Sequence, residues 1–146
     1  MRFSDNTFDL VTCFGVLHHI PNITTVLREI IRVTAPQGII LLREPIRSMG
    51  DWKKPRRGLT KNERGIPHAF FDDLFERSDV KVFKKSFCDA SFAFVLLHTL
   101  VGITRDTYLC QLFDNIISSL LSWNIHYHPQ SRVQKLAPAS YVVQKI

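Results

Sequence analysis

The chain has 146 residues, 45% of them hydrophobic and 22% charged, with a net charge of +6. That is the size and balance of one globular domain and not two. No apolar run approaches the ~20 residues of a membrane span, and the first residues carry no secretory apolar region, so a cytoplasmic protein with no membrane partner is expected.

The three cysteines, Cys13, Cys88 and Cys110, are far apart and set in apolar surroundings. They suit buried thiols in a reducing compartment, not a disulfide framework. The positive charge is uneven. Between Arg43 and Arg64 eight basic residues face three acids, which leaves the rest of the chain close to neutral. A basic surface suggests nucleic acid when it is broad. Here the charge sits in one loop, and Trp52 alone is a weak stacking platform, so no nucleic-acid partner is expected.

After a polar lead-in with a turn at Asp5-Asn6, residues 8–14 read as a strand. Leu10, Val11, Phe14, Val16 and Leu17 crowd together with little polar alternation, as in a strand covered on both faces. Gly15 sits at the end of that strand, where backbone can approach a ligand closely. His18 and His19 follow, then Ile20-Pro21-Asn22. Asn22 is placed to cap a helix over residues 23–33, with Val26, Leu27, Ile30 and Ile31 on one face and Arg28, Glu29 and Arg32 on the other. Ala35-Pro36-Gln37-Gly38 stops that helix. Ile39-Ile40-Leu41-Leu42 is a second apolar strand, ending at Arg43-Glu44-Pro45. Strand, helix and strand over this length make a βαβ unit with parallel strands and a right-handed crossover.

Residues 46–67 form a long basic loop dense in Gly, Pro and charge, and such loops are usually functional or disordered. A short helix over 68–76 and an edge strand over 80–87 follow. Residues 92–103 are apolar nearly all round. Beyond Asp106, Leu109, Leu112, Phe113, Ile116, Ile117, Leu120 and Leu121 mark one helical stripe, more often core than membrane anchor because its polar face lacks Lys and Arg. Residues 124–136 are a polar loop, and Tyr141-Val142-Val143 is a last strand. His126 and His128 have no nearby Cys or carboxylate cluster, so no metal site is expected there or elsewhere.

The stretches Phe3 to Val11, Gly15 to Ile20, Leu27 to Ile30 and Val33 to Gly38 together resemble class I S-adenosylmethionine-dependent methyltransferases, within the small-molecule branch called type 11. The match is most specific over residues 3–45 and beyond that rests on element order. The resemblance implies an α/β fold, a partial Rossmann-like methyltransferase sheet. The four strands would be the second half of a seven-stranded sheet, mostly parallel, whose last strand returns antiparallel between the two before it. Residues 90–128 would be a helical insertion before that strand. It implies S-adenosyl-L-methionine as cofactor, bordered by Phe14, Gly15, Val16 and Leu17, with His18 and His19 reaching the methyl-transfer face. A Gln at 37 stands where relatives commonly have Gly.

The resemblance also implies an earlier half. None of the six glycines fall close enough to make a Gly-x-Gly, and no acid is placed to bind ribose. Residues 1–146 therefore read as a single incomplete methyltransferase domain: a truncated product, a misplaced start, or half of a split enzyme. Without earlier strands residues 8–14 become an exposed apolar sheet edge, which calls for a missing N-terminal half or a second copy.

Methyl transfer is an in-line displacement in which the protein aligns the acceptor, excludes water and supplies a base where a proton must leave. His18 and His19 are candidate bases; alternatively one packs and the other bonds the helix start. Glu44 is a candidate for orienting an acceptor hydroxyl or amine, or else pairs with Arg43 or Arg47. Arg43, Arg47 and the basic loop suit an acidic or sugar-like small-molecule acceptor, or else form a solvated, mobile loop. A non-catalytic binding or assembly module that keeps half the fold is the alternative function.

Overall fold

The computed structural model describes residues 2–51, 53–88, 98–100, 102, 107–120 and 138–146. Strand β1 (Phe8–Phe14) leads through a 3₁₀ turn, Leu17–His19, to helix α1 (Ile23–Val33) and strand β2 (Thr34–Pro45). Helix α2 (His68–Glu76), strand β3 (Val80–Phe87), helix α3 (Tyr108–Leu120) and strand β4 (Pro138–Lys145) complete the described elements. Trp52, His126, His128, Leu121 and most of residues 92–103 lie outside the described residues, as does much of the expected insertion.

The sheet order is β1-β2-β4-β3. β1 and β2 are parallel, and β4 runs antiparallel between β2 and β3. This is the arrangement that the resemblance implied. Its register gathers several strand ends on one edge. Phe14 pairs with Arg43, Glu44 and Phe87 both pair with Ala139, and Pro45 pairs with Pro138. The C-terminal ends of β1, β2 and β3 therefore open on the same side, which in an α/β sheet is where ligands bind.

Local chemistry explains the elements. The Asn22 side chain accepts from the Thr25 N–H at 3.3 Å and caps α1, as the sequence suggested. At the other end of α1 the Thr34 hydroxyl bonds the Ile30 carbonyl, and Lys145 Nζ donates to the Thr34 carbonyl at 2.8 Å. That contact ties the last strand to a helix end whose carbonyls lack partners. β2 begins earlier than expected, and the pairing with β1 shifts register between Phe8 and Leu10. Opposite that irregularity Gln37 adopts φ +65°, the left-handed region that favours glycine.

The core corrects two expectations. Leu27, Ile30, Ile40, Leu42, Phe71, Phe75, Tyr141 and Val143 form a single cluster, so both α1 and α2 pack into one core. Alternate β2 residues, Ile40, Leu42 and Glu44, are buried, whereas Ile39 and Leu41 are only half-covered. The apolar run of β1 suggests cover on both faces, yet Leu10 and Phe14 are each 56% exposed. Only Val11 and Cys13 of that strand reach the core. The apolar run reflects a strand with one covered face, at a sheet edge. The α3 stripe is turned outward too: Leu109, Leu112, Ile116 and Leu120 are exposed, and Cys110 and Ser118 are buried. All three cysteines are free; Cys110 is buried, and Cys13 and Cys88 are half-buried.

Positions 37 and 38 give opposite predictions. A Cβ on Gly38 would meet the Ala35 carbonyl oxygen and Thr34 Cγ2, each at 2.8 Å. Gly38→Ala is therefore expected to lower stability by about 1–3 kcal/mol. Gln37→Gly relieves a left-handed Gln whose cost is about 1–2 kcal/mol, offset in part by glycine's freedom in the unfolded chain, for a net gain of about 0.5–1 kcal/mol. Urea midpoints of the two variants, moving in opposite directions from the parent chain, are the check.

Candidate functional site

The sheet edge is built around one carboxylate. Glu44 lies near the end of β2, 1% exposed. Its Oε1 accepts from the Val16 and Leu17 N–H groups, both at 2.8 Å. Its Oε2 accepts from the His18 N–H at 3.3 Å and lies 2.8 Å from His18 Nδ1. Three consecutive N–H groups turned on one anion form a nest, and the side chain filling it comes from the neighbouring strand. Gly15 makes the turn possible. It adopts φ +65° and its N–H donates to the Arg43 carbonyl at 2.8 Å.

This geometry sorts the expected site residues. Phe14 and Val16 present apolar surface to solvent, 56% and 47% exposed, on either side of Gly15. Leu17 does not join them. It is 0% exposed and belongs to the core, so it holds the loop down from beneath. Glu44 was a candidate for orienting an acceptor, or for pairing with Arg43 or Arg47. Its bonds are instead to the β1 loop, because the loop's N–H groups point at it from a few ångströms away. Arg43 and Arg47 are exposed at the rim.

The two histidines part company. His18 is 8% exposed, and its Nδ1 faces the carboxylate. That bond selects the tautomer with the proton on Nδ1, which leaves Nε2 as the ring nitrogen able to accept a proton. His19 is open: its ring lies 4.0 Å from that of His18, and its Nδ1 is 3.4 Å from Thr60 Oγ1 and 3.8 Å from Glu63 Oε2. A hydrogen bond from the Thr60 N–H, assisted by the neighbouring histidines, holds the Glu63 carboxyl below the usual carboxylate range. Beneath the site, burial and the Glu44 charge push the Cys13 thiol up to about 11, so it is an unreactive thiol at neutral pH.

The basic loop is pinned where it returns to the sheet. The Arg64 N–H donates to the His18 carbonyl at 3.0 Å, and its guanidinium donates to the Ile20 and Pro21 carbonyls. The Ile66 N–H donates to the Pro45 carbonyl. Gly65 packs so tightly that a Cβ there would fall 1.8 Å from the Arg47 carbonyl oxygen. The sequence points to the basic loop through Arg64 as a grip on an acidic acceptor, but not to Thr60 and Glu63 as members of this site. The Gly65-Ile66-Pro67 run, a point where the loop touches down, was the available signal.

A family model described as a methyltransferase domain matches residues 1–42. Among solved structures, an S-adenosylmethionine-dependent methyltransferase from Mesorhizobium loti is 9% identical with a TM-score of 0.57, covering 99% of this chain and 65% of that one. The 4+2 cyclase SpnF is 16% identical with a TM-score of 0.56, covering 99% of this chain and 53% of that one. A coclaurine N-methyltransferase bound to N-methylheliamine and S-adenosylhomocysteine is 14% identical with a TM-score of 0.54, covering 100% of this chain and 48% of that one. No curated protein matches the chain by sequence. The fold is that of class I S-adenosylmethionine-dependent methyltransferases, and the chain spans about half to two thirds of the length of these structures.

The clamp makes a specific prediction. In Glu44→Gln the amide NH₂ would face donors from His18, or the amide oxygen would abandon Val16 and Leu17. With hydrogen bonds to charged groups worth about 1.5–3 kcal/mol each, the variant is expected to lose about 2–3 kcal/mol in denaturant unfolding. Arg47→Ala at the exposed rim should stay within about 0.5 kcal/mol of the parent.

Proposed function

We infer that this chain supplies the acceptor side of an S-adenosylmethionine-dependent methyltransferase acting on a polar small molecule, of which a sugar-like acceptor is the preferred class. The observation that carries this reading is the methyltransferase-domain match over residues 1–42, which ends on the strand that bears the Glu44 clamp. Phe14 and Val16 then offer an apolar wall to the cofactor, with Gly15 allowing close approach between them. The fit is partial in an informative way. The N–H groups of Gly15, Val16, Leu17 and His18 are already engaged by Arg43 and Glu44. This loop therefore contributes apolar contact and shape, and no backbone donors for a cofactor carboxylate.

S-adenosylmethionine, when bound, provides an activated methyl group. The chain's residues do the rest. His18 Nε2 is the proton acceptor for an acceptor hydroxyl or amine, oriented through Nδ1 by Glu44. His19, Arg43 and Arg47 line the approach, and the cationic side chains favour an acceptor that carries negative charge or many hydroxyls. No helix among the described residues is long and apolar enough to cross a membrane, which is consistent with an acceptor met in solution.

A second reading is favoured by one observation: β1 is an edge strand with Leu10 and Phe14 each 56% exposed. On that reading the chain is an assembly module or half of a split enzyme, and a partner strand covers β1. Calorimetry with S-adenosylmethionine and the purified chain separates the two. Saturable binding is expected, weakened about tenfold or more in Phe14→Ala. A folded chain that gives no binding heat would remove the activity from this polypeptide alone and leave the assembly reading.

A further inference from the structure

We propose that His18, His19 and Glu63 form a binding site for a first-row divalent transition-metal cation of the zinc class, one that bridges the β1 loop and the basic loop. One nitrogen from each imidazole and one oxygen of Glu63 all lie within 4.8 Å of one another. The donors come from two loops far apart in sequence, brought together by the bonds of Arg64 to the His18, Ile20 and Pro21 carbonyls. The cluster is thus held in place by contacts that do not involve the donor atoms.

Three features point to a metal and to its class. The first is the partner of His18. A buried carboxylate 2.8 Å from Nδ1 fixes the tautomer and leaves Nε2 as the free ring donor, the support that metal-bound imidazoles ordinarily have. The second is the donor set. Two imidazoles and one carboxylate suit zinc-like ions and leave a fourth tetrahedral position for water or a ligand, whereas magnesium and calcium prefer oxygen throughout. The third is access: the His19 side chain is 45% exposed and that of Glu63 is 16% exposed, so an ion can enter without unfolding the loop.

The site must tighten to bind. Ligand bonds of about 2.0–2.1 Å put tetrahedral donors about 3.4 Å apart, while His19 Nδ1 and Glu63 Oε2 stand 3.8 Å apart. Glu63 would give up part of its hold on the Thr60 N–H and hydroxyl to close that gap. The basic side chains of the loop oppose a cation, and the charges of Glu63 and of Glu44 behind His18 act against that opposition. The bound ion would fasten residues 60–64 over the histidine pair.

The inference goes beyond methyl transfer and does not rest on it, since metal binding is read without cofactor. An ion held by His18 Nε2 would occupy the lone pair that accepts the proton, so the metal-bound and proton-accepting states of that ring exclude each other. Zinc is titrated into the 146-residue chain against a chromophoric chelator, and cobalt is added separately to look for the visible bands of a tetrahedral site. One equivalent is expected to bind, with His19→Ala and Glu63→Gln each weakening affinity about tenfold or more and the cobalt bands lost in both. Both positions are outside the core, so these variants should fold, which a thermal melt verifies. A His126→Ala/His128→Ala variant should bind as the parent does. The proposal is overturned if zinc does not bind, if His19→Ala and Glu63→Gln leave binding unchanged, or if binding disappears in the His126/His128 variant.

Discussion

The site depends on a buried charge. Moving a carboxylate out of water costs several kcal/mol even after relaxation, and Glu44 is nearly sealed from solvent. What makes it tolerable is a full set of donors, three backbone N–H groups and an imidazole, all from residues 16–18. The arrangement works in both directions. The carboxylate satisfies N–H groups that the tight turn after β1 would otherwise leave unpaired, and the turn satisfies the carboxylate. Because the anion sits on β2 and the donors follow β1, the interaction also welds together the ends of the two parallel strands. His18 is aimed, Leu17 is buried and Phe14 is displayed as consequences of that one contact.

Among the described residues the sheet around it is closed on one face and half-covered on the other. Both connecting helices pack into the cluster of Leu27, Ile40, Phe71 and Tyr141, so the alternate face of β2 is half-covered. β4, lodged between β2 and β3, has partners on both sides and contributes Ala139, Tyr141 and Val143 to the core. Among the described residues β1 has a partner strand on one side only. A flat apolar edge of that kind invites pairing with another strand, and little in β1 blunts it: it carries no lysine and no proline, and its exposed Asp9 and register irregularity both fall at its start.

Much of this was legible in the sequence, and the reasons for the exceptions are physical. Strand and helix periods, the Asn22 cap and the stop before Gly38 depend on residues close in the chain, so they could be read locally. The antiparallel return of β4 came from resemblance, since no local pattern encodes strand order. What escaped was long-range. Glu44 looks like a rim carboxylate until the positions of residues 16–18 are known, and Leu17 looks like its exposed neighbours Phe14 and Val16 because all three are apolar. Period alone also cannot say whether an apolar stripe is covered, which is why Leu109, Leu112 and Ile116 were read as core. Thr60, Glu63 and Arg64 lie in a loop without periodicity, and only the touchdown of Gly65 on Arg47 brings them to the histidines.

The enzymatic and assembly readings are less opposed than their names suggest. The turn after β1 has no free backbone donors to give, because Arg43 and Glu44 take them. Any grip on the charged end of a cofactor must therefore come from groups outside this turn. The exposed edge of β1 is the surface on which another strand would lie, and a parallel strand added there would end beside Phe14, Gly15 and Val16. Its own following loop would then face the same apolar wall. Covering the edge and completing a ligand site are in that case one event: apolar burial of Leu10 and Phe14 would drive the pairing, and the donors that this loop lacks would arrive with the strand. The Glu44 clamp fits such a division, since it holds residues 16–18 in place from within this chain.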